Sequence, residues 1–160
     1  MAKHPLAEEF FKEVVQPTVD EYLAQPANIR RGRLAAIVLN HTVDYWCVDT
    51  GEEKDSVRQN LEANTRVSGH HGHSFFQIVE DTADASKHAR LNRKSRKMTE
   101  ATQVRQRSVG AFGTTAYNTA PYGGSRAVDV RAMLDDGTVF SLSHAVRKVT
   151  QAWHQKLQLP

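Results

Sequence analysis

Cysteine is almost missing from this chain: Cys47 is the only one in 160 residues. An internal disulfide is therefore impossible, and so is a Cys-x-x-Cys zinc pattern. A chain of this length is long enough to bury a noncovalent core without either staple. Long hydrophobic runs are missing too. The longest, Leu34-Ala35-Ala36-Ile37-Val38-Leu39, has six residues, against roughly 20 needed to span a bilayer. Membrane partners are not expected. No Gly-x-Ser-x-Gly, P-loop, Gly-x-Gly-x-x-Gly or His-Glu-x-x-His occurs. The common hydrolase and nucleotide-binding readings fall with them.

The N-terminus, Met1-Ala2-Lys3-His4-Pro5, turns acidic at once through Glu8, Glu9 and Glu13. That is the pattern of neither a signal peptide nor a transit peptide. Together with the near absence of cysteine it leads to an expectation of a cytoplasmic protein.

The net charge is only +3, but it is unevenly placed. Lys87, Arg90, Arg93, Lys94, Arg96, Lys97, Arg105 and Arg107 crowd the segment 87–107, with Glu100 the one acid among them. Such a block suits RNA or an acidic partner, and Arg90, Arg93, Lys94, Arg96 and Lys97 are its nucleic-acid-binding candidates. The competing reading is solvated surface.

Apolar spacing predicts helices first. One begins after Pro5, with Leu6, Phe10 and Val14 in register; Pro17 interrupts it, and Thr18 to Leu23 resumes as a short second turn or a kinked continuation. A second covers 29–48 on the stripe Leu34, Ile37/Val38, His41, Tyr45 and Val48, and is expected to be the central core helix. A third, 52–65, is polar and expected outside. A fourth covers 75–91 behind an Ser74 N-cap, with Phe75, Val79, Thr82, Ser86 and Ala89 as its packing stripe. After Leu91 the texture becomes β-like over 98–107, 111–117, 126–134 and 138–142. Asp136-Gly137 supplies a tight hairpin turn, because glycine accepts the positive φ such turns need. A last helix over 143–157 has Val146, Val149, Trp153 and Leu157 on its core face. The expected architecture is α+β in one domain over 1–160. A helical bundle (1–91) precedes an antiparallel β-meander (98–142) and a closing helix (143–158).

Two polar groups stand out. Asp81, Asp84 and His88, at i, i+3 and i+7, project from one side of the fourth helix. Lys87 adjoins them. His41 and Asp44 sit on the second helix, and His41 is the best placed to meet the Asp81 face. Asp and His bind metals, relay protons or satisfy polar cores. A metal site on His41, Asp81, Asp84 and His88 is one alternative. However, i and i+7 on one helix are about 10 Å apart, and the Glu-x-x-His of di-iron bundles is absent. No metal or other cofactor is expected. Cys47, beside Trp46, fits a small packed residue rather than a nucleophile.

The stretch from Arg33 to Trp46, followed by Asp81-Thr82-Ala83-Asp84-Ala85-Ser86-Lys87-His88-Ala89-Arg90-Leu91, resembles a group of uncharacterised bacterial proteins. Their helical front half ends in a Lys-His pair, ahead of a β-meander and a Trp-containing helix. That resemblance carries no activity. The front half also resembles the HEPN superfamily of helical bundles, many of them ribonucleases, whose active site is an Arg and a His separated by four to six residues. Arg66 and His71 fit that spacing here, as do Arg66 and His73. The resemblance implies His71 as general base and Arg66 as the group holding the scissile phosphate.

The function expected is binding or interaction rather than catalysis, in a homo-oligomer. The alternatives are a HEPN-like ribonuclease or RNA-binding protein, and a metal-binding protein.

Overall fold

The computed structural model describes residues 4–91, 96–109 and 127–159. The strand expected over 111–117 and the turn at 121–125 lie outside the described residues, as do Arg93 and Lys94. The fold is α+β, with helices, then a three-stranded antiparallel sheet, then a C-terminal helix. No helix among the described residues is long and apolar enough to cross a membrane.

Helix α1 (Pro5–Phe10) is continued past Pro17, one of the two outcomes expected there. A π-helical turn, Phe11–Val15, carries it into α2 (Gln16–Ala24), where Pro17 lies in the first turn. The wider turn accommodates the proline ring and its missing N–H, which would break a regular α-helix.

Helix α3 (Ile29–Thr50) opens on Asn28, whose side chain caps the Arg31 N–H, and closes on Gly51 in the left-handed region, φ 73°. It is the central helix, but its core face differs from the expected one. The buried residues are Gly32, Ala35, Ala36, Leu39, Asn40, Thr42, Val43 and Trp46. Leu34, Tyr45 and Val48 face outward. The reason is close packing. A Cβ on Gly32 would stand 3.0 Å from Leu142 Cδ2 and 3.0 Å from Tyr22 Cε2. Only the face of smallest residues lets α2 and the C-terminal helix approach this closely.

Helix α4 (Lys54–Asn64) lies outside and buries only Val57 and Leu61. Helix α5 (Phe75–Lys87) starts at Ser74, which caps the Gln77 N–H. It is buried far more widely than its expected stripe, including Phe76, Glu80, Asp81 and Ala83. It is packed against α3, α4 and the C-terminal helix, α6 (Leu142–Leu157). The helix also stops earlier than expected. His88 is extended, with φ −128° and ψ 127°. From there the chain pairs with the return strand, Leu91 N donating to Thr99 O at 2.7 Å and Ala101 N to Ala89 O at 3.2 Å.

The sheet runs in the order β1 (Val104–Val109), β2 (Ala127–Met133), β3 (Val139–Ser141). Val104 pairs with Ala132 and Ala132 with Phe140. Val104, Val130, Ala132 and Phe140 turn inward to the core. Gly137, φ 85°, makes the expected turn between β2 and β3, where Leu134 N donates to Thr138 O at 2.8 Å. Helix α6 starts at the Ser141 N-cap and buries Val146, Val149, Trp153 and Leu157, the face read from the sequence.

Gly32→Ala tests the close packing. Alanine gains about 1 kcal/mol of helix propensity, while overpacking costs about 1–3 kcal/mol. Tyr22 and Leu142 are both fully buried and have no room to yield. Urea unfolding followed by circular dichroism is expected to show a net loss of about 1 kcal/mol; a variant more stable than the parent refutes the account.

Candidate functional site

Helix α5 carries three acids, Glu80, Asp81 and Asp84, into the protein. An unpaired buried carboxylate is costly, so each needs a donor. The donors come from the chain 15 residues later. The Arg96 side chain is only 5% exposed, and its Nη1 lies 3.0 Å from both Glu80 Oε2 and Asp81 Oδ1. Its Nη2 donates to Asp84 Oδ2. Asp81 is fully buried, and its other oxygen accepts from the backbone N–H groups of Lys97 at 2.7 Å and Met98 at 3.2 Å. Arg58 on α4 joins from the far side, its Nε 2.9 Å from Glu80 Oε1.

Of these groups Arg58, Asp84 and Arg96 form the inner wall of a cleft of about 410 Å³ between α3, α4 and the end of α5. On the α3 side, His41 Nδ1 lies 3.2 Å from Asp44 Oδ2, and Lys54 Nζ lies 2.5 Å from Asp44 Oδ1. Asn40 also lines the cleft, and its buried Oδ1 has no hydrogen-bond partner among the described residues. Lys87, His88 and Arg90 are exposed at the mouth.

The electrostatics divide the carboxyls. Burial pushes Asp81 up to about 6, against the pull of the Lys97 N–H, the Arg96 charge and the Met98 N–H. Partial burial also works to raise Asp44, but hydrogen bonds from Lys54 and His41 outweigh it and hold Asp44 below the ordinary range. Burial opposes the Arg96 charge; Glu80, Asp84 and Asp81 overcome it and keep the guanidinium above its ordinary value.

The expected sites fare unevenly. His41, Asp44, Asp84, Lys87 and His88 do share one cleft. His41, however, pairs with Asp44, and the Asp81 face docks on residues 96–98 instead. The Asp81/Asp84/His88 triplet is not one helical face, because α5 ends before His88. Arg96 is not a free cation for nucleic acid, being consumed by three internal carboxylates. Among the described residues no group of three or more His, Cys, Asp or Glu is placed to hold a metal ion. The alternative metal set also loses Asp81, since both its oxygens already accept hydrogen bonds. Glu80 and the internal role of Arg96 were missed. The available signal was three acids crowded into 80–84 with a basic segment following.

Arg66 and His71 line a second cavity, of about 580 Å³, with His70 and His73. They stand in a closed loop. Val67 N donates to His73 O at 3.0 Å and Phe75 N to Thr65 O at 2.8 Å, with Gly69 and Gly72 at positive φ. His73 Nε2 is 3.0 Å from Asp136 Oδ2, which ties the loop to the β2–β3 turn.

No protein-family model matches this chain, and no curated protein or solved structure matches it either. The site is therefore read from its own chemistry.

Removing one partner of a buried ion pair typically costs about 3–5 kcal/mol. Asp81→Ala leaves Arg96 short of a counter-charge and two backbone N–H groups unsatisfied, so a loss in that range is expected in urea unfolding. A loss below about 1 kcal/mol, the level of an exposed pair, rules the buried cluster out.

The two shifted aspartates also bend the pH dependence in opposite directions. Asp44, lowered on folding, stabilises above its unfolded pKa, and that stability is lost as pH falls through its folded pKa. Asp81, raised on folding, takes up its proton first in the folded chain, so its contribution rises as pH falls from about 6 toward its ordinary 3.8. Carboxyl NMR titration is expected to place the Asp81 midpoint above that of Asp44; the reverse order overturns the assignment.

Proposed function

We propose that this chain is a binding protein rather than an enzyme, that it acts in the cytoplasm as a homo-oligomer, and that its ligand is RNA. A nucleotide unit enters the cleft between α3, α4 and α5. The observation that carries this reading is the contrast between inner wall and mouth. Inside, Arg96 and Arg58 are tied to Glu80, Asp81 and Asp84. At the mouth, the side chains of Lys87 and Arg90 make no ion pair among the described residues and stand exposed. Unpaired cations at the rim of a polar cleft suit phosphate oxygens. Asn40 Oδ1, a buried acceptor without a donor, suits a ribose hydroxyl or a base N–H.

The binding reading is preferred over catalysis because, among the described residues, no Ser, Thr or Cys lines the cleft beside the His41–Asp44 pair. One observation keeps a ribonuclease as the second reading: Arg66 and His71 line a common cavity.

Fluorescence anisotropy with a labelled single-stranded RNA tests the proposal. Binding is expected to weaken with salt. The Lys87→Ala/Arg90→Ala chain, changed only at exposed positions, is expected to flatten the log–log salt slope by roughly 1.4, at about 0.7 per lost contact. Binding that ignores both replacements, or no binding at low salt, sinks the reading. Shortening of the RNA that His71→Ala abolishes establishes the second reading instead.

A further inference from the structure

Helix α3 is apolar on two sides, and among the described residues only one is fully covered. The covered side is the small-residue face around Ala36, Leu39 and Val43. At 3.6 residues per turn, Leu34, His41, Tyr45 and Val48 lie about half a turn away. Leu34 is 41% exposed, Tyr45 38% and Val48 71%. Half-buried Val38 falls between them. Their spacing is that of a helix-pairing seam: Leu34, His41 and Val48 recur every seven residues, and Val38 and Tyr45 form the alternate row. Helix α1 broadens the surface, with exposed Leu6 and Val14 and with Phe10 stacked on Tyr45 at 4.0 Å. An apolar stripe of this length needs a cover.

The charges say what covers it. Helix α3 has no acid in its first turn and no base in its last. Arg30 and Arg31 stand at its N-terminus, and Asp49, Glu52 and Glu53 stand at or just beyond its C-terminal end. That is the reverse of what the helix dipole favours. The arrangement is unfavourable within one helix and complementary between two antiparallel copies. Laid across a twofold axis at His41, Leu34 meets the second copy's position 48, and Arg30 comes opposite the acidic segment just past its helix end, where Glu53 is free among the described residues and Glu52 already accepts from Trp46. The Leu34–Val48 contact and the charge pairing fall into register together. Arg30 and Glu53 are both exposed, and neither side chain is engaged in a hydrogen bond or ion pair among the described residues.

We infer that the outer face of α3 is the surface on which a second copy of this chain docks, antiparallel, with Leu34, His41, Tyr45 and Val48 at its centre. This deepens the homo-oligomer part of the proposed function and rests on it, while standing apart from the RNA reading. His41 and Asp44 also line the cleft, so the twofold axis sets the two clefts side by side. One helix face flanked by α1 lies at the small end of specific interfaces, about 1,200 Å² in total, so association in the micromolar range is expected.

Sedimentation equilibrium on the full chain, from about 1 to 200 µM to bracket that micromolar range, tests the inference. The parent is expected to pass from monomer to dimer. Val48→Glu, at a position already in solvent, is expected to stay monomeric with an unchanged circular dichroism spectrum. Arg30→Glu is expected to weaken the dimer at least 10-fold, and Arg30→Glu/Glu53→Arg to restore most of the loss. A parent monomeric throughout overturns both the oligomer and the face. A dimer indifferent to Val48→Glu overturns the face alone and leaves the oligomer standing. Failure of RNA binding bears on neither.

Discussion

The Arg96 guanidinium, held among Glu80, Asp81 and Asp84, is the contact on which the layout of this protein depends. Helix α5 is packed by α3, α4 and α6, yet it carries three carboxylates. Burying such a helix is permissible only if cations and N–H donors come with it. They come from the segment that leads into the sheet. Lys97 and Met98 donate to Asp81, buried Met98 enters the core, and six residues after Met98 the first strand begins. The polar cluster therefore fixes where the helical half hands over to the sheet. A hydrophobic contact alone would not specify that register, because it has no direction; a carboxylate with two oxygens and three donors does.

The second constraint is steric. Gly32, Ala35 and Ala36 let α3 approach its neighbours closely, and that choice of face seats Leu39, Val43 and Trp46 in the core and leaves Leu34, Tyr45 and Val48 outside. The two constraints interact at the cleft. Asn40 and His41 are adjacent on α3, one nearly buried and one half-exposed, so the same rotation of the helix that seats Ala36 in the core also opens the polar wall. Elsewhere the α3 end is secured by Trp46, which donates to Glu52 at 3.1 Å, lies under Lys156 at 4.4 Å and contacts Trp153. These contacts lock α3 to α6 at the end away from Gly32.

Where periodicity pointed to a single answer, the sequence was legible. The face of α6, the Ser74 cap and the Asp136-Gly137 turn all follow from local rules that tertiary packing does not disturb. Helix α3 was located correctly and rotated wrongly. Its larger apolar residues recur as regularly as its small ones, and size alone suggested the former for the core; the spacing between helices, a tertiary quantity, decided for the latter. Helix α5 failed differently. A helix buried on nearly every side has no stripe to find, and its acids looked like a surface. The cleft was half legible: the proximity of His41, Asp44, Asp84, Lys87 and His88 followed from two helices, but Arg96 reaches them from a segment with no periodicity, where spacing says nothing about direction.

The basic block over 87–107 thus contains cations of two kinds, and net charge cannot separate them. Arg96 is neutralised by internal acids and contributes almost nothing to the field outside; its work is to make buried Glu80 and Asp81 and half-buried Asp84 tolerable. Lys87 and Arg90 have no such debt to the fold and project their charge into solvent. Guanidinium suits the first task, since its planar fork reaches three carboxylates at once, which an ammonium group cannot do with the same geometry. The second task needs only charge and reach. The same distinction holds on α3, where Asp44 is held by Lys54 and His41 within the chain, while Arg30 and Glu53 are left to find opposite charge elsewhere. In both places the groups already paired describe how the protein folds, and the groups left over describe what it meets.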